Sequence, residues 1–308
     1  MGVTIQIDRS RPLHEGAARG HNRWHPDLAP VASVEPGGEV TFEIRDSRDR
    51  QFGRDSTHAD VLDLPAIAHP LTGPLEVRGA QPGDVLEVKI LAIDLPIDYG
   101  YNGCSGYVRT NCQAGAGTRI LQLDKKTMTS EFAPGIVIPL KPFFGSMGVA
   151  PAVEMGRVSS NPPGRHAGNL DNRELVAGST LYIPVFVEGA LFEVGDGHAA
   201  QGDGEVDQTA IETSLRGRLQ LTVRKDMTLT WPRAETATDY ITMATDPDLT
   251  VATKAAIQEM VDFLSETRGL TKHQAYQLVS LAGNVAVTQL VDRPVYGVHV
   301  RMPKSVFQ

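Results

Sequence analysis

Alternation of apolar and polar positions governs the first two-thirds of the chain. Val40, Phe42 and Ile44 alternate with Glu39, Thr41 and Glu43, which puts them on one face of a strand. Leu86, Val88 and Ile90 repeat the device against Val85, Glu87 and Lys89. Each run follows a shorter apolar run and a Pro-Gly turn, Pro36-Gly37-Gly38 in one case and Gln81-Pro82-Gly83-Asp84 in the other. This is an echo of one supersecondary unit rather than a sequence repeat. Further strands are predicted at Ile136–Leu140, Leu181–Glu188, Arg218–Val223, Val285–Val291 and Val295–Val300.

Helical period enters only near the end. Ile257, Met260, Val261 and Leu264 fall at i, i+3, i+4, i+7, with Asp248 or Thr250 as cap and Gly269 as stop. Thr271-Lys272-His273-Gln274 has the form of a capping box, and Ala275, Leu278, Val279 and Ala282 form the stripe of a second helix ending at Gly283-Asn284. The expected fold is mainly β with an α+β C-terminal part. Residues 1–240 form a β-sandwich or distorted barrel that carries the site, and residues 241–308 a helix–helix–strand section packed on it. Three Gly-rich stretches read as loops: 99–117, 159–178 and 195–207.

Composition narrows the class. Hydrophobic residues make 41% and charged residues 21%, enough to bury a core. The 30 Gly and 20 Pro favour turns and strands over a helical bundle. A net charge of −8 is not that of a nucleic-acid binder, which carries a basic stripe. No apolar run approaches the ~20 residues of a membrane-spanning helix. The opening MGVTIQIDRSRPLHEG lacks a signal-peptide core and reads as a strand. Cys104 and Cys112 are too few for a disulfide framework and fit a reducing cytoplasm.

Candidate chemistry concentrates in Gly195-Asp196-Gly197-His198-Ala199-Ala200-Gln201-Gly202-Asp203-Gly204-Glu205. Asp196 and His198 lie two apart, as do Asp203 and Glu205, so each pair projects to one side of an extended backbone. Carboxylate with imidazole is a donor set for a divalent ion such as Zn²⁺. An inert acidic turn accounts for the Gly and Asp but not for His198 and Glu205. A second group, His166-Ala167-Gly168-Asn169-Leu170-Asp171, lies across one strand segment. His21, Trp24 and His25 form a third, able to line a pocket or a surface, while His58, His69, His273 and His299 read as structural. Nucleophile signatures are absent: there is no G-x-S-x-G, no Walker A and no base beside either Cys.

These residues carry a family resemblance. HNRWHPDLAPVASVEPGGEV, HPLTGPLEVRGAQPGDVLEV, FFGSMGVAP, the long segment from Gly164 to Val206 and Thr209–Glu212 together resemble the acetamidase/formamidase family of linear-amide hydrolases. The resemblance implies hydrolysis of a short amide to carboxylate and ammonia, a homo-oligomer, and a bound divalent metal, zinc first and calcium second. It carries over His166, Asp171, Asp196, His198, Asp203 and Glu205; of these, His166, Asp171, Asp196 and His198 are the expected metal ligands and Glu205, next Asp203, the expected base. The competing expectation is a non-catalytic β binding protein stabilised by a closed metal site.

Overall fold

A computed structural model describes residues 2–7, 21–49, 52–61, 69–112 and 117–308. Two sheets face each other. The larger has nine strands in the order Val3–Ile5, Gly38–Glu43, Arg216–Arg224, Val85–Asp94, Thr180–Pro184, Arg233–Glu235, Asp239–Asp246, Tyr296–Pro303 and Asn284–Gln289. The smaller runs Ala167–Asn169, Phe143–Gly148, Phe192–His198, Glu212–Thr213, Tyr99–Asn102 and Arg119–Gln122, with Leu71–Val77 on Phe192–His198 and Ala32–Val34 on Leu71–Val77. This is the mainly β sandwich that the alternation predicts.

The two Pro-Gly turns have one topological job. Each leads from the smaller sheet into the larger, from Ala32–Val34 to Gly38–Glu43 and from Leu71–Val77 to Val85–Asp94. Gly37 and Gly83 take φ of +85° and +93°, a region that only glycine enters at little cost. The two first strands pair in parallel, and the two second strands flank Arg216–Arg224. Between the sheets, Phe42, Val88 and Leu219 meet Leu75, Phe144 and Phe192. The Phe42 and Phe192 rings lie edge to face, 5.8 Å apart. Full burial of such side chains is worth about 1.5–3 kcal/mol each.

The helices form as their caps dictate. In α1, Leu249–Arg268, Asp248 Oδ1 accepts from the Thr250 and Val251 amides, and Gly269 turns the chain with φ +65°. In α2, Lys272–Ala282, the Thr271–Gln274 box is closed in both directions. Ala256, Met260 and Leu264 pack with Val279 against Val298 and Val300. Strands of the last 70 residues thus continue the larger sheet.

Four expectations need correction. The 159–178 stretch carries the strand Ala167–Asn169. Tyr99–Asn102 is a strand, not the start of a loop; of the remainder, residues 113–116 lie outside the described residues. Gly195 to His198 also belong to a strand, Phe192–His198. Their glycines mark close approach rather than turning: a Cβ would lie 2.4 Å from the Pro70 oxygen at Gly195 and 2.4 Å from the Thr213 oxygen at Gly197. Finally, Cys104 and Cys112, few as they are, are joined in a disulfide.

Candidate active site

The strand Phe192–His198 brings Asp196 and His198 to the centre of a buried acidic cluster. His198 Nε2 lies 3.2 Å from Asp196 Oδ2, 3.3 Å from Glu212 Oε1 and 3.9 Å from Glu205 Oε1, and Nδ1 lies 3.8 Å from Asp171 Oδ1. Each acid arrives on a different element. Asp171 follows Ala167–Asn169, Glu212 opens the strand Glu212–Thr213, and Glu205 sits on the turn after His198. Asp292 joins from the loop between Asn284–Gln289 and Tyr296–Pro303 and lines the same cavity. Gln289 Oε1 holds that loop by accepting from the Val291 and Asp292 amides, both at 2.9 Å.

The backbone is held in unfavourable conformations to do this. Asp171, Asp196 and Glu205 have φ of +48°, +53° and +43°. A left-handed non-glycine residue costs roughly 1–2 kcal/mol, and such strain gathers at functional sites. Further contacts aim the carboxylates. Asn169 Nδ2 donates to Asp171 Oδ2 at 2.8 Å, and Ser146 Oγ donates to Asn169 Oδ1 at 2.5 Å. The Ala210 amide donates to Glu212 Oε1 at 2.9 Å.

What remains unpaired faces inward. Asp171 Oδ1, Asp196 Oδ1, Glu212 Oε2, Asp292 Oδ2 and His198 Nε2 are buried without an aligned hydrogen-bond partner. Gly145 keeps the centre open: a Cβ there would sit 2.5 Å from Asp171 Oδ1, 2.5 Å from Asp196 Oδ2 and 2.9 Å from His198 Cε1. Two overlapping donor sets share His198, one with Asp171 and Glu205, the other with Asp196 and Glu212, each with its donor atoms within 4.8 Å of one another.

The electrostatics match this arrangement. Burial, with the neighbouring Asp292 and Asp196, pushes the Asp171 carboxyl well above its usual range. Burial and Asp171 do the same to Glu205, and burial raises Asp292. Burial also acts to raise Asp196, but the His69 and His198 rings overcome it and hold that carboxyl low. Burial opposes the charge on His198, yet Glu212 and Asp196 raise it well above the ordinary histidine value. Five carboxyls around His198 and beside His69, with no Lys or Arg ion-paired to them among the described residues, fit a divalent cation by both charge and donor type.

A cavity of about 460 Å³ opens onto the cluster. Beside Asp171, Asp196, Glu205, Glu212 and Asp292 it is lined by Ser47, Arg48, Phe52, His58, His69 and Tyr101. The Phe52 and Tyr101 rings lie 4.4 Å apart, and the Tyr101 hydroxyl is hydrogen-bonded to Ser47.

Of the residues singled out from sequence, Asp171, Asp196, His198 and Glu205 come together. His166 does not join either donor set. It packs edge-on against Trp24, 5.4 Å between ring centres, and burial pushes its pKa down to about 4. Trp24 is itself fully buried and does not line the cavity. Asp203 is exposed on its turn, outside the cavity lining. Sequence reasoning missed Glu212, Asp292, His58 and His69 as site residues. Glu212 ends the Thr209–Glu212 segment already noted for its resemblance. Asp292 stands in no local pattern, because only the fold of the last strands brings it here.

The chain belongs to the acetamidase/formamidase family, whose sequence profile matches residues 6–161 and 156–308. It is 30% identical to an acetamidase of Mycolicibacterium smegmatis over 67% of this chain and 66% of that protein. It is also 30% identical to a formamidase of Methylophilus methylotrophus over 67% of this chain and 64% of that one. The chain thus spans just under two-thirds of these relatives' lengths. Among solved structures, an acetamidase from Bacillus halodurans superposes with a TM-score of 0.86 at 29% identity, covering 94% of this chain and 96% of the other. A predicted acetamidase/formamidase from Thermoanaerobacter tengcongensis gives 0.87 at 29% identity, covering 99% and 97%.

Proposed function

We propose that the protein hydrolyses short linear amides, of the formamide or acetamide class, to carboxylate and ammonia with a divalent metal bound at the His198 cluster. The observation that carries this is the gathering of five buried carboxyls around the imidazole of His198 at the floor of a cavity. His198 and Asp196 would hold the cation together with Glu212, with Asp171 on the other side. The imidazole donor favours zinc over calcium, whose ligands are oxygen. When bound, the cation supplies Lewis acidity, polarising a carbonyl or lowering the pKa of a water.

The chain's own groups do the rest. Glu205, flanked by Gly204 on the turn, accepts the proton of the attacking water and returns it to the departing nitrogen, since ammonia leaves poorly unless protonated. Phe52 and Tyr101 wall the cavity and limit water to the reacting molecule. Exposed Leu281, near the end of α2, and Val285, on the edge strand Asn284–Gln289, at 85% and 48%, support a homo-oligomer. Light scattering that shows a monomer at micromolar concentration would count against that assembly.

The deciding experiment is ammonia release from formamide and acetamide by purified protein, before and after dialysis against a chelator. Turnover that disappears with the metal and returns with zinc is the expected result. Stoichiometric metal without turnover on either amide would favour a closed, structural site instead.

A further inference from the structure

His198 offers two ring nitrogens, and the chain has committed one of them. His198 Nδ1 lies 2.8 Å from Gln201 Oε1. Gln201 Nε2 donates to the backbone oxygen of Asp171 at 2.7 Å. A carbonyl oxygen only accepts, so the nitrogen end of the Gln201 amide must face Asp171. Its oxygen end therefore faces His198, and an amide oxygen only accepts as well. Nδ1 must then carry the hydrogen, whatever the charge of the ring. The ring plane is fixed from the side by Phe143, edge-on with centres 5.0 Å apart.

We infer that Gln201 is a positioning residue that pins the hydrogen of His198 on Nδ1 and so leaves Nε2 as the ring atom turned to a cation. The inference rests on the metal reading proposed above and sharpens it. With Nδ1 committed, the imidazole serves the corner where Asp196 and Glu212 stand 3.2 and 3.3 Å from Nε2. The same amide ties the His198 turn to the Asp171 loop, whose left-handed backbone at Asp171 has its own amide held by the Gly145 oxygen at 3.1 Å. One side chain thus orients an imidazole and steadies the peptide of a neighbouring acid. Outer-shell partners of this kind, when removed, typically cost 10–100-fold in metal affinity.

Two variants separate the two bonds. Gln201→Leu removes both. Gln201→Glu keeps an acceptor for Nδ1–H but cannot donate to the Asp171 oxygen. Zinc affinity is read by competition with a chromophoric chelator. The His198 ring N–H is read by ¹⁵N NMR of histidine-labelled protein, assigned by its loss in His198→Asn. The expected result is a sheltered, slowly exchanging Nδ1–H in the wild type. In Gln201→Leu that signal is lost and zinc binds roughly 10–100-fold more weakly. Gln201→Glu keeps the signal and recovers most of the affinity. Unchanged affinity and signal in Gln201→Leu overturns the inference, as does a Gln201→Glu that behaves like Gln201→Leu. If the wild type itself binds no zinc, the metal reading fails, while the NMR arm still decides whether Gln201 pins the ring.

Discussion

The strand Phe192–His198 carries two buried groupings of histidine with carboxylate, and they differ in charge count. At Glu193 the arrangement is one to one: His21 Nε2 stands 2.7 Å from Glu193 Oε2, and the acid is fully buried. At Asp196 and His198, three and five residues on, five carboxyls gather around His198, with the ring of His69 beside Asp196. Both groupings contain buried polar atoms without an aligned hydrogen bond, so that feature alone does not separate them. Charge balance does. A paired ion in the interior is tolerated as it stands, whereas several buried carboxylates around one cation raise one another's pKa until another positive charge arrives. The second grouping also opens to a cavity and takes three acids in strained backbone, which the first does not.

The comparison breaks most directly by deleting each histidine. His198→Ala is expected to lose metal and amidase turnover together, by more than ~100-fold, the upper end seen for mere outer-shell partners. His21→Gln should keep both within a few-fold. Metal analysis and steady-state kinetics on the same preparations check it. A His198→Ala protein with full metal and full turnover would remove the distinction between the two groupings.

Within the acidic grouping, the acids themselves can be sorted. Glu205→Gln is expected to keep metal while kcat falls roughly 10²–10⁴-fold with KM little changed, because the amide cannot accept a proton. Loss of metal in that variant would make Glu205 a ligand instead. Asp203→Asn should leave kcat and metal content unchanged, since Asp203 is exposed and outside the cavity.

How much of this was legible beforehand follows from the range of each interaction. The helices were read nearly to the residue because caps and stripes are local: Asp248, Gly269 and the Thr271–Gln274 box all lie within a turn of what they control. Asp196 and His198 were legible for the same reason. Gly195 and Gly197 read as part of a loop because the cause of their glycines is distant, the backbone of Pro70 and of Thr213 pressing on the strand. Asp292 was invisible because its delivery depends on the Gly204–Thr288 and Leu290–Gly204 hydrogen bonds, which join segments far apart in sequence. His166 shared a motif with Asp171, yet the left-handed φ of Ala167 and Gly168 separates their paths. Spacing in a motif does not fix direction once the backbone leaves the extended region.

The balanced pair has its own pH signature. Burial opposes the charge on His21, but the hydrogen bond and charge of Glu193 raise its pKa above 6.5. A raised histidine stabilises the fold fully below the unfolded value and ceases to do so as pH rises through the folded one. Urea midpoints are therefore expected to fall from pH 6 to pH 8, the raised His198 acting in the same sense, and His21→Gln to make that fall shallower. On the acid side the sign reverses. Burial lowers His299 and His166 to about 4, so the unfolded chain takes up protons first as pH drops below 6.5. Together they cost stability progressively down to about pH 4, on the order of 3 kcal/mol each. A His21→Gln profile as steep as the wild type's from pH 6 to pH 8 would mean that the Glu193 contact does not charge His21.

The smallest effect serves as the control for all of these. Thr271 caps α2 through the Gln274 amide at 3.2 Å, and Gln274 Oε1 closes the box on the Thr271 amide at 3.0 Å. Ala275 and Val279 alone are buried from this helix, and neither touches the acidic cluster or Glu193. Thr271→Ala leaves an orphan amide at the helix start and is expected to cost about 1 kcal/mol. Its metal content, kcat and the slope of its stability between pH 6 and pH 8 should match the wild type. The measurement is urea unfolding at two pH values, with metal analysis beside it. If this substitution lowers metal content, loss of metal elsewhere reports general loosening of the fold, and the contrast between the two groupings must be rebuilt on affinities measured at equal stability. If only the unfolding midpoint moves, the losses expected at His198 and Glu205 belong to the site itself.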